Sequence, residues 1–422
     1  MTPAATHGCR VTFILPRPVR AAILGVGLVA GLSAAVSVLG AQGRLVGSST
    51  SAVGPIYERW TFGDGVYQRT LAGGDSVRIE SASQLSVPIS LRVPLGERWS
   101  VDLSGAYANG TVSLAARDTA LDVDRYAVNG LTDLRLRATG RVVGDNVVVT
   151  LGVNVPTGKT SLNSEEFSAM RVLAAPAFAF QTPTLGLGAG GTVGIVYARE
   201  AAGWAWALGG SYELRNSYDP VTFVGEMNPS DAVHLSVGGD GLVGRHGMTI
   251  ALSADIFTKD RLTALEPEEG AGQNVAAGSV ETQLGPIVMV DWQLRLASAR
   301  FRELTLYAVE RYRTKYKRDG TSVDGSSGNY LDTGVRSLLP VARSSAILAH
   351  LNVRNHTGLK SDVTLATAAI TSAALTLGLV QDLGQGYVLQ PFARAQTGRM
   401  KTGNNSGSVQ AFAAGVTLGL RF

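Results

Sequence analysis

Cysteine is nearly missing from this sequence, charge is sparse, and beyond the N-terminal segment there is no long apolar run. Cys9 is the only thiol, so neither a disulfide framework nor a thiolate metal site is available within the chain. Charged residues are 17% of the total, where about 25% is usual for a soluble protein. No uninterrupted stretch of about 18 apolar residues follows the N-terminus, which argues against a helical membrane protein. What remains is moderate hydrophobicity, spread in alternation through a glycine-rich chain. That is the composition of a transmembrane β-barrel.

The N-terminus reads as a secretory signal. Arg10, Arg17 and Arg20 precede an apolar run from Ala21 to Leu39, and small residues follow. Cleavage near Gly40 or Ala41 is expected, leaving residues 42–54 as a short periplasmic segment or plug. An uncleaved anchor is the alternative. Removing the three arginines, with no acid among the removed residues, lowers the formal charge from +4 to +1. The basic balance then gives no support for nucleic-acid binding.

In a barrel wall, successive side chains face lipid and lumen by turns. Phe412, Ala414, Val416, Leu418, Leu420 and Phe422 take one phase, and Ala413, Gly415, Thr417, Gly419 and Arg421 the other. The same alternation recurs over 99–107, 147–155, 204–215, 248–256 and 347–354. Each run matches the ~9–11 residues that a tilted strand needs to cross the hydrocarbon. Tight linkers at Pro94–Glu97, Gly144–Asn146, Arg245–Gly247 and Asp382–Gly386 alternate with long polar ones near 113–128, 216–230, 261–278, 317–329 and 400–408. Short periplasmic turns alternating with long extracellular loops is the barrel rule. The expectation is an up-and-down antiparallel β-barrel over 55–422 with about 16 strands, or 14 in the alternative count. Residues 158–185 break the alternation. They are expected to form a large extracellular loop folding inward, although Ala174–Phe180 has the makings of a strand. Trp60, Trp99, Tyr107, Trp204, Tyr212, Tyr312, Tyr316, Tyr387 and Phe412 near strand ends suggest interfacial girdles.

Three stretches resemble a known family. Asn129-Gly130-Leu131-Thr132-Asp133-Leu134, followed by Arg135-Leu136-Arg137, resembles the "GxxDxxL" strand of the outer-membrane barrel family named for the meta-pathway of phenol degradation. Leu151-Gly152-Val153-Asn154-Val155-Pro156-Thr157-Gly158-Lys159 is similar to that family's next strand and its "LPTG" exit. Gly209 to Leu214, with Ser217-Tyr218-Asp219-Pro220, is similar to its "GGxSYxL" strand and polar loop. The ending at Leu418, Leu420 and Phe422 resembles the signature read by the barrel-assembly machinery. These resemblances imply an outer-membrane channel or transporter that takes up hydrophobic or aromatic compounds. The chain lacks an apolar N-terminal hatch, since Gly43 to Val53 is small and polar.

Other motif matches fail on context. Gly186-Leu187-Gly188-Ala189-Gly190-Gly191 fits G-x-G-x-x-G, but Thr192 to Arg199 reads as a strand, where a dinucleotide site needs a helix N-terminus. Gly158-Lys159-Thr160 ends like a P-loop, but its first glycine, Gly152, is one residue too distant. The histidines show no metal-ligand spacing, and nothing near Ser236 or Ser253 marks a nucleophile. No cofactor, metal or catalytic residue is expected. The acidic stretch Glu266-Pro267-Glu268-Glu269 reads as a solvated extracellular tip, or as a site for a divalent cation shared with lipopolysaccharide.

The informative polar set is the inward phase: Asp102, Asp133, Arg135, Arg137, Glu213, Arg215, His234, Asp240, Asp255, Asp291, Arg295, Arg311, Arg313, Arg354, Arg394 and Arg421. An Arg or Lys facing lipid at mid-depth costs ~2–4 kcal/mol, which enforces the inward phase. Two roles stand side by side for these residues: lining a wet pore, or bracing a closed barrel with ion pairs. The expected function is passive diffusion of small molecules through a lumen constricted by the 158–185 segment. A structural or adhesive barrel with a blocked lumen is the alternative, and an outer-membrane phospholipase-like enzyme a distant third. The expected surroundings are outer-membrane lipid and lipopolysaccharide.

Overall fold

The period-two alternation resolves into strands that pair with their sequence neighbours. A computed structural model describes residues 50–69, 76–115, 124–143, 146–221, 225–267, 274–357 and 368–421. It is a closed antiparallel β-barrel of 16 strands with one short helix. β1 is assembled from Thr50–Val53, Ile56–Phe62 and Tyr67–Arg69. Ser76–Leu95 is β2 and Trp99–Ala115 is β3. β4 joins Asp124–Leu131 to Leu134–Val143 across a break at Thr132-Asp133. β5 is Val147–Val155, and the helix α1 is Ser164–Leu173. Gly190–Ala201 and Trp204–Arg215 are β6 and β7. β8 (Ala232–Val243), β9 (His246–Phe257), β10 (Ile287–Arg295), β11 (Glu303–Arg313) and β12 (Gly328–Pro340) continue the wall. β13 (Ser345–His356), β14 (Ala369–Gly384), β15 (Tyr387–Thr402) and β16 (Asn405–Arg421) complete it. β16 pairs with β1, so the sheet has no open edge. Closure satisfies every ladder hydrogen bond without water, as lipid requires.

Turn chemistry sets the two rims. Ala201 pairs with Trp204, so β6 and β7 are joined by Ala202 and Gly203 alone, both at positive φ (53° and 77°). That is the primed turn whose twist matches a hairpin. On the opposite rim, Tyr218–Val221, Gly225–Asn228, Asp260–Pro267, Asn274–Gln283, Lys317–Arg318 and Thr321–Ser322 form a second sheet that raises the β7–β12 side. Much of the 261–278 linker is therefore strand.

Which face is inside follows from contacts to the segment between β5 and β6. Arg354 Nη1 donates to Ala177 O (3.1 Å), and Gln84 Nε2 to Thr182 O (2.6 Å). Registered cross-strand partners share a face, and the registers carry that phase around the wall. The opposite phase is apolar and outward, as at Leu208 (63% exposed), Ile195 (56%) and Leu377 (52%). A belt this large would be an association hazard in water; against lipid it is simply solvated. No helix among the described residues is long and apolar enough to cross a membrane.

Several expectations shift. Among the described residues the wall starts with Thr50–Val53, which is strand; residues 42–49 lie outside the described residues, as do the signal segment, Glu268, Glu269 and Phe422. The 400–408 linker is a tight hairpin, because Thr402 pairs directly with Asn405. Trp60 belongs to no girdle: it takes the inward phase and is fully buried against Phe178. Ala174–Phe180 is not a strand but a run of turns following α1.

Candidate functional site

The 156–189 segment enters the lumen from the top of β5 and leaves it at β6. Its root is one carboxylate. Asp133, at the break in β4, accepts from Gly158 N (3.0 Å), Asn154 Nδ2 (3.0 Å) and Leu187 N (2.7 Å), so both ends of the segment share one acceptor. Its own N–H donates to Leu185 O (3.1 Å). A side chain at Gly158 would place Cβ 2.2 Å from Leu185 O, so only glycine fits there. Two of the family-like motifs, the "GxxD" break and the "PTG" exit, thus meet in space at the root.

α1 starts at a capping box. Asn163 Oδ1 accepts from Glu166 N (2.9 Å), and Glu166 returns a carboxylate oxygen to Asn163 N (3.2 Å). This pairing satisfies two of the backbone N–H groups that lack an intrahelical acceptor. Val172 and Leu173 then face Val112, Val128, Ile79, Ile370 and Met400 in one apolar core. Leu173 packs onto Gly110, where a Cβ would sit 2.3 Å from its methyl. Phe178 wedges between Trp60 and Phe62, each 5.2 Å away between ring centroids.

Polar latches fix the tip against the same strands. Gln181 N donates to Glu58 (2.8 Å), whose other oxygen pairs with Arg394 (3.3 Å). Thr182 N donates to Gln84 Oε1 (2.9 Å). Arg354, bound to Asp332 (2.9 Å), holds Ala177 O. The buried Glu58–Arg394 pair is costly to break, because removing one partner leaves an uncompensated charge.

The rest of the inward face, on β4 to β13, carries most of the residues expected to line the lumen. His234 lies between Asp255 (Nδ1, 2.8 Å) and Glu213 (Nε2, 3.4 Å), and Glu213 also takes Arg215 (3.0 Å). Both imidazole nitrogens are engaged by carboxylates, so His234 is not placed to serve Ser236 or Ser253 as a base. Arg295 pairs with Asp240 (2.5 Å), Arg92 with Asp102, and Arg336 with Glu303. Asp291 accepts from Gln293 (3.3 Å). Arg311 takes the same phase, in register with Met289 and Tyr330. Arg313 lies 6.0 Å from the centre of the Tyr330 ring. Arg135 is exposed and Arg137 half-buried, and among the described residues neither has a carboxylate within ion-pair distance.

Some functional side chains escaped the sequence reading. Glu58 and Gln84 lie in the inward phase, but without the inserted segment nothing marks them as latches. Tyr307 crosses Gly334, where a Cβ would approach its hydroxyl to 2.7 Å, and reaches His350 on β13 (2.7 Å). Asn352 donates to the same hydroxyl (2.8 Å), so the phenol proton goes to His350 Nε2. Arg354 and Arg394, expected to line the lumen, instead hold the inserted segment.

Among the described residues, no cluster of His, Cys, Asp or Glu has the makings of a metal site. The sequence matches no family model and no curated protein. Among solved structures, the chain is similar to the COG4313 outer membrane channel from Pseudomonas putida F1, at 12% identity over 91% of this chain and 98% of that one, with a TM-score of 0.35. It is similar to OpdK of Pseudomonas aeruginosa, solved with vanillate, at 10% identity over 90% and 100% of the two chains and a TM-score of 0.43. A third similar structure is the TodX deltaS2S3 mutant monoaromatic hydrocarbon channel, at 8% identity over 90% and 91%, with a TM-score of 0.45. At identities and TM-scores this low the likeness says nothing of what this chain carries; its fold is the closed antiparallel β-barrel described above.

Proposed function

We propose that this chain is a passive outer-membrane channel for small molecules, including aromatic or hydrophobic ones. The observation that carries the reading is the one-sided seating of the inserted segment. Its apolar core is made with β1–β3, the upper part of β4 (Asp124–Leu131) and β14–β16, and the charged inward face of the lower part of β4 (Leu134–Val143) and of β5–β12 is left to water. The charged residues of that face, with Arg135 and Arg295 the more exposed, line the passage. The aromatic preference rests on the motif resemblance at 129–137 and 151–159. Export by a cleaved N-terminal signal, and folding by assembly machinery that reads the ending at Leu418, Leu420 and Phe422, belong to the same proposal.

The test is reconstitution of the refolded protein into a planar bilayer. Discrete conductance steps are expected. Silence, together with exclusion of small radiolabelled solutes from proteoliposomes, would favour a blocked, structural barrel.

A further inference from the structure

Every carboxylate described above on the inward face is engaged: by a cation, by the amide of Gln293, or, at Asp133, by three N–H donors. The guanidinium groups are not all matched. Arg135 and Arg137 stand two residues apart on one strand and one face, about 7 Å between Cα atoms by strand geometry. Asp102, the register partner of Arg137 on β3, is taken by Arg92 from β2. On the other side Arg137 faces Gly152, and Arg135 faces Asn154, whose amide is committed to Asp133 and to Gly188 O. Asp102 and Glu213 act on Arg137 only from beyond ion-pair distance and Arg92 and Arg135 oppose them, so among the described residues neither cation has a direct counter-charge. They stand immediately below Asp133, where the inserted segment enters and leaves, so a solute passing the constriction meets them.

We propose that the channel's preferred solutes are small organic carboxylates, received by Arg135 and Arg137. This rests on the channel reading above and names the solute class for it. A guanidinium offers two parallel N–H groups that match a carboxylate's two oxygens. Two such groups in a cleft walled by protein raise the local concentration of anions. Most of the remaining lumen charges are matched pairs, and Arg313, which faces the Tyr330 ring, adds to the positive field from β11.

The experiment pairs selectivity with flux, using the full-length protein in proteoliposomes and planar bilayers. Under a KCl gradient, the reversal potential is expected to show chloride preferred over potassium. Gluconate is expected to enter faster than sorbitol, a neutral polyol of similar size that, like gluconate, does not cross the lipid itself. In Arg135→Gln with Arg137→Gln, that advantage is expected to fall by about tenfold, the lower end of what a charged cleft contributes. Glu303→Gln with Arg336→Gln, which removes a matched pair elsewhere, is expected to keep it. Cation preference, equal entry of gluconate and sorbitol, or an unchanged advantage in the double variant would each overturn the carboxylate proposal while leaving the channel in place. A chloride preference without a gluconate advantage would overturn it too, reducing the pair to a general anion filter. Absence of all conductance would instead overturn the channel reading and this inference with it.

Discussion

On the side of the lumen formed by β1–β3, the upper part of β4 and β14–β16, the inward positions above mid-depth include Trp60, Ala82, Ala108, Val112, Ile370 and Val409, all nearly inaccessible. On the side of lower β4 and β5–β12 the charged ones include Glu213, Arg215, His234, Asp255, Arg311 and Arg313, with partial access to water. The two sides share one sheet and one period. They differ in what stands in front of them. A single inserted segment makes one side behave like the interior of a soluble protein and leaves the other as a wet wall. A barrel of this size can thus be filled over part of its cross-section, and the proposed channel would run along the rest.

Damage to the dry side is expected to cost the most stability. Phe178→Ala removes a ring packed against Trp60, Phe62 and Phe180. The expected loss is about 3–5 kcal/mol of packing stability, read as a lowered urea midpoint. Asp133→Asn is gentler and more informative. The new amide faces backbone donors with a donor of its own, leaving at least one of Gly158 N and Leu187 N unsatisfied, at about 1–3 kcal/mol. Noisier single-channel current is expected, with greater protease sensitivity within 158–187 and no loss of the assembled barrel. A quiet channel would show that the latches at Glu58, Gln84 and Arg354 hold the segment without its root.

The smallest effect concerns the raised outer sheet. Hydrogen bonds from Lys259 and Arg261 hold the Glu281 carboxyl down at about 2, below its usual 4.5. A lowered folded value means that the contribution is present above about pH 4.5 and is lost as pH falls towards 2. Faster amide exchange between the 260–267 and 274–283 strands is expected across that window, with the wall strands unchanged. The effect is small because the groups are at the rim, where water screens them.

How much of this was legible in the sequence differs between the same two regions. The wall was readable because lipid on one face enforces a strict period of two. The count of about 16 strands follows from that period together with the alternation of short turns and long loops, and the inward phase of His234 or Arg295 from the period alone. The inserted segment obeys no such rule. Its inward course was expected from the broken loop alternation, but α1 was missed, although Asn163 and Glu166 carry the capping-box spacing. Trp60 was misassigned because an aromatic near a strand end looks the same whether it faces headgroups or a plug. Asp133 was legible as inward, but its role depends on two N–H groups far apart in sequence, Gly158 and Leu187. Pairing on the wet side was likewise invisible, since register decides which charges meet.

Thiol accessibility tests the division of the lumen most directly. In a Cys9→Ser background, single cysteines are placed at inward positions on either side, Arg135→Cys on the wet wall and Ala108→Cys beneath the inserted segment, where the residue is 1% exposed. A membrane-impermeant thiol reagent is then added during conductance recording. The account predicts rapid labelling with a stepwise change in current at position 135, and neither at position 108. Equal reaction at both positions, or none at 135, would contradict a lumen that is dry on one side and open on the other.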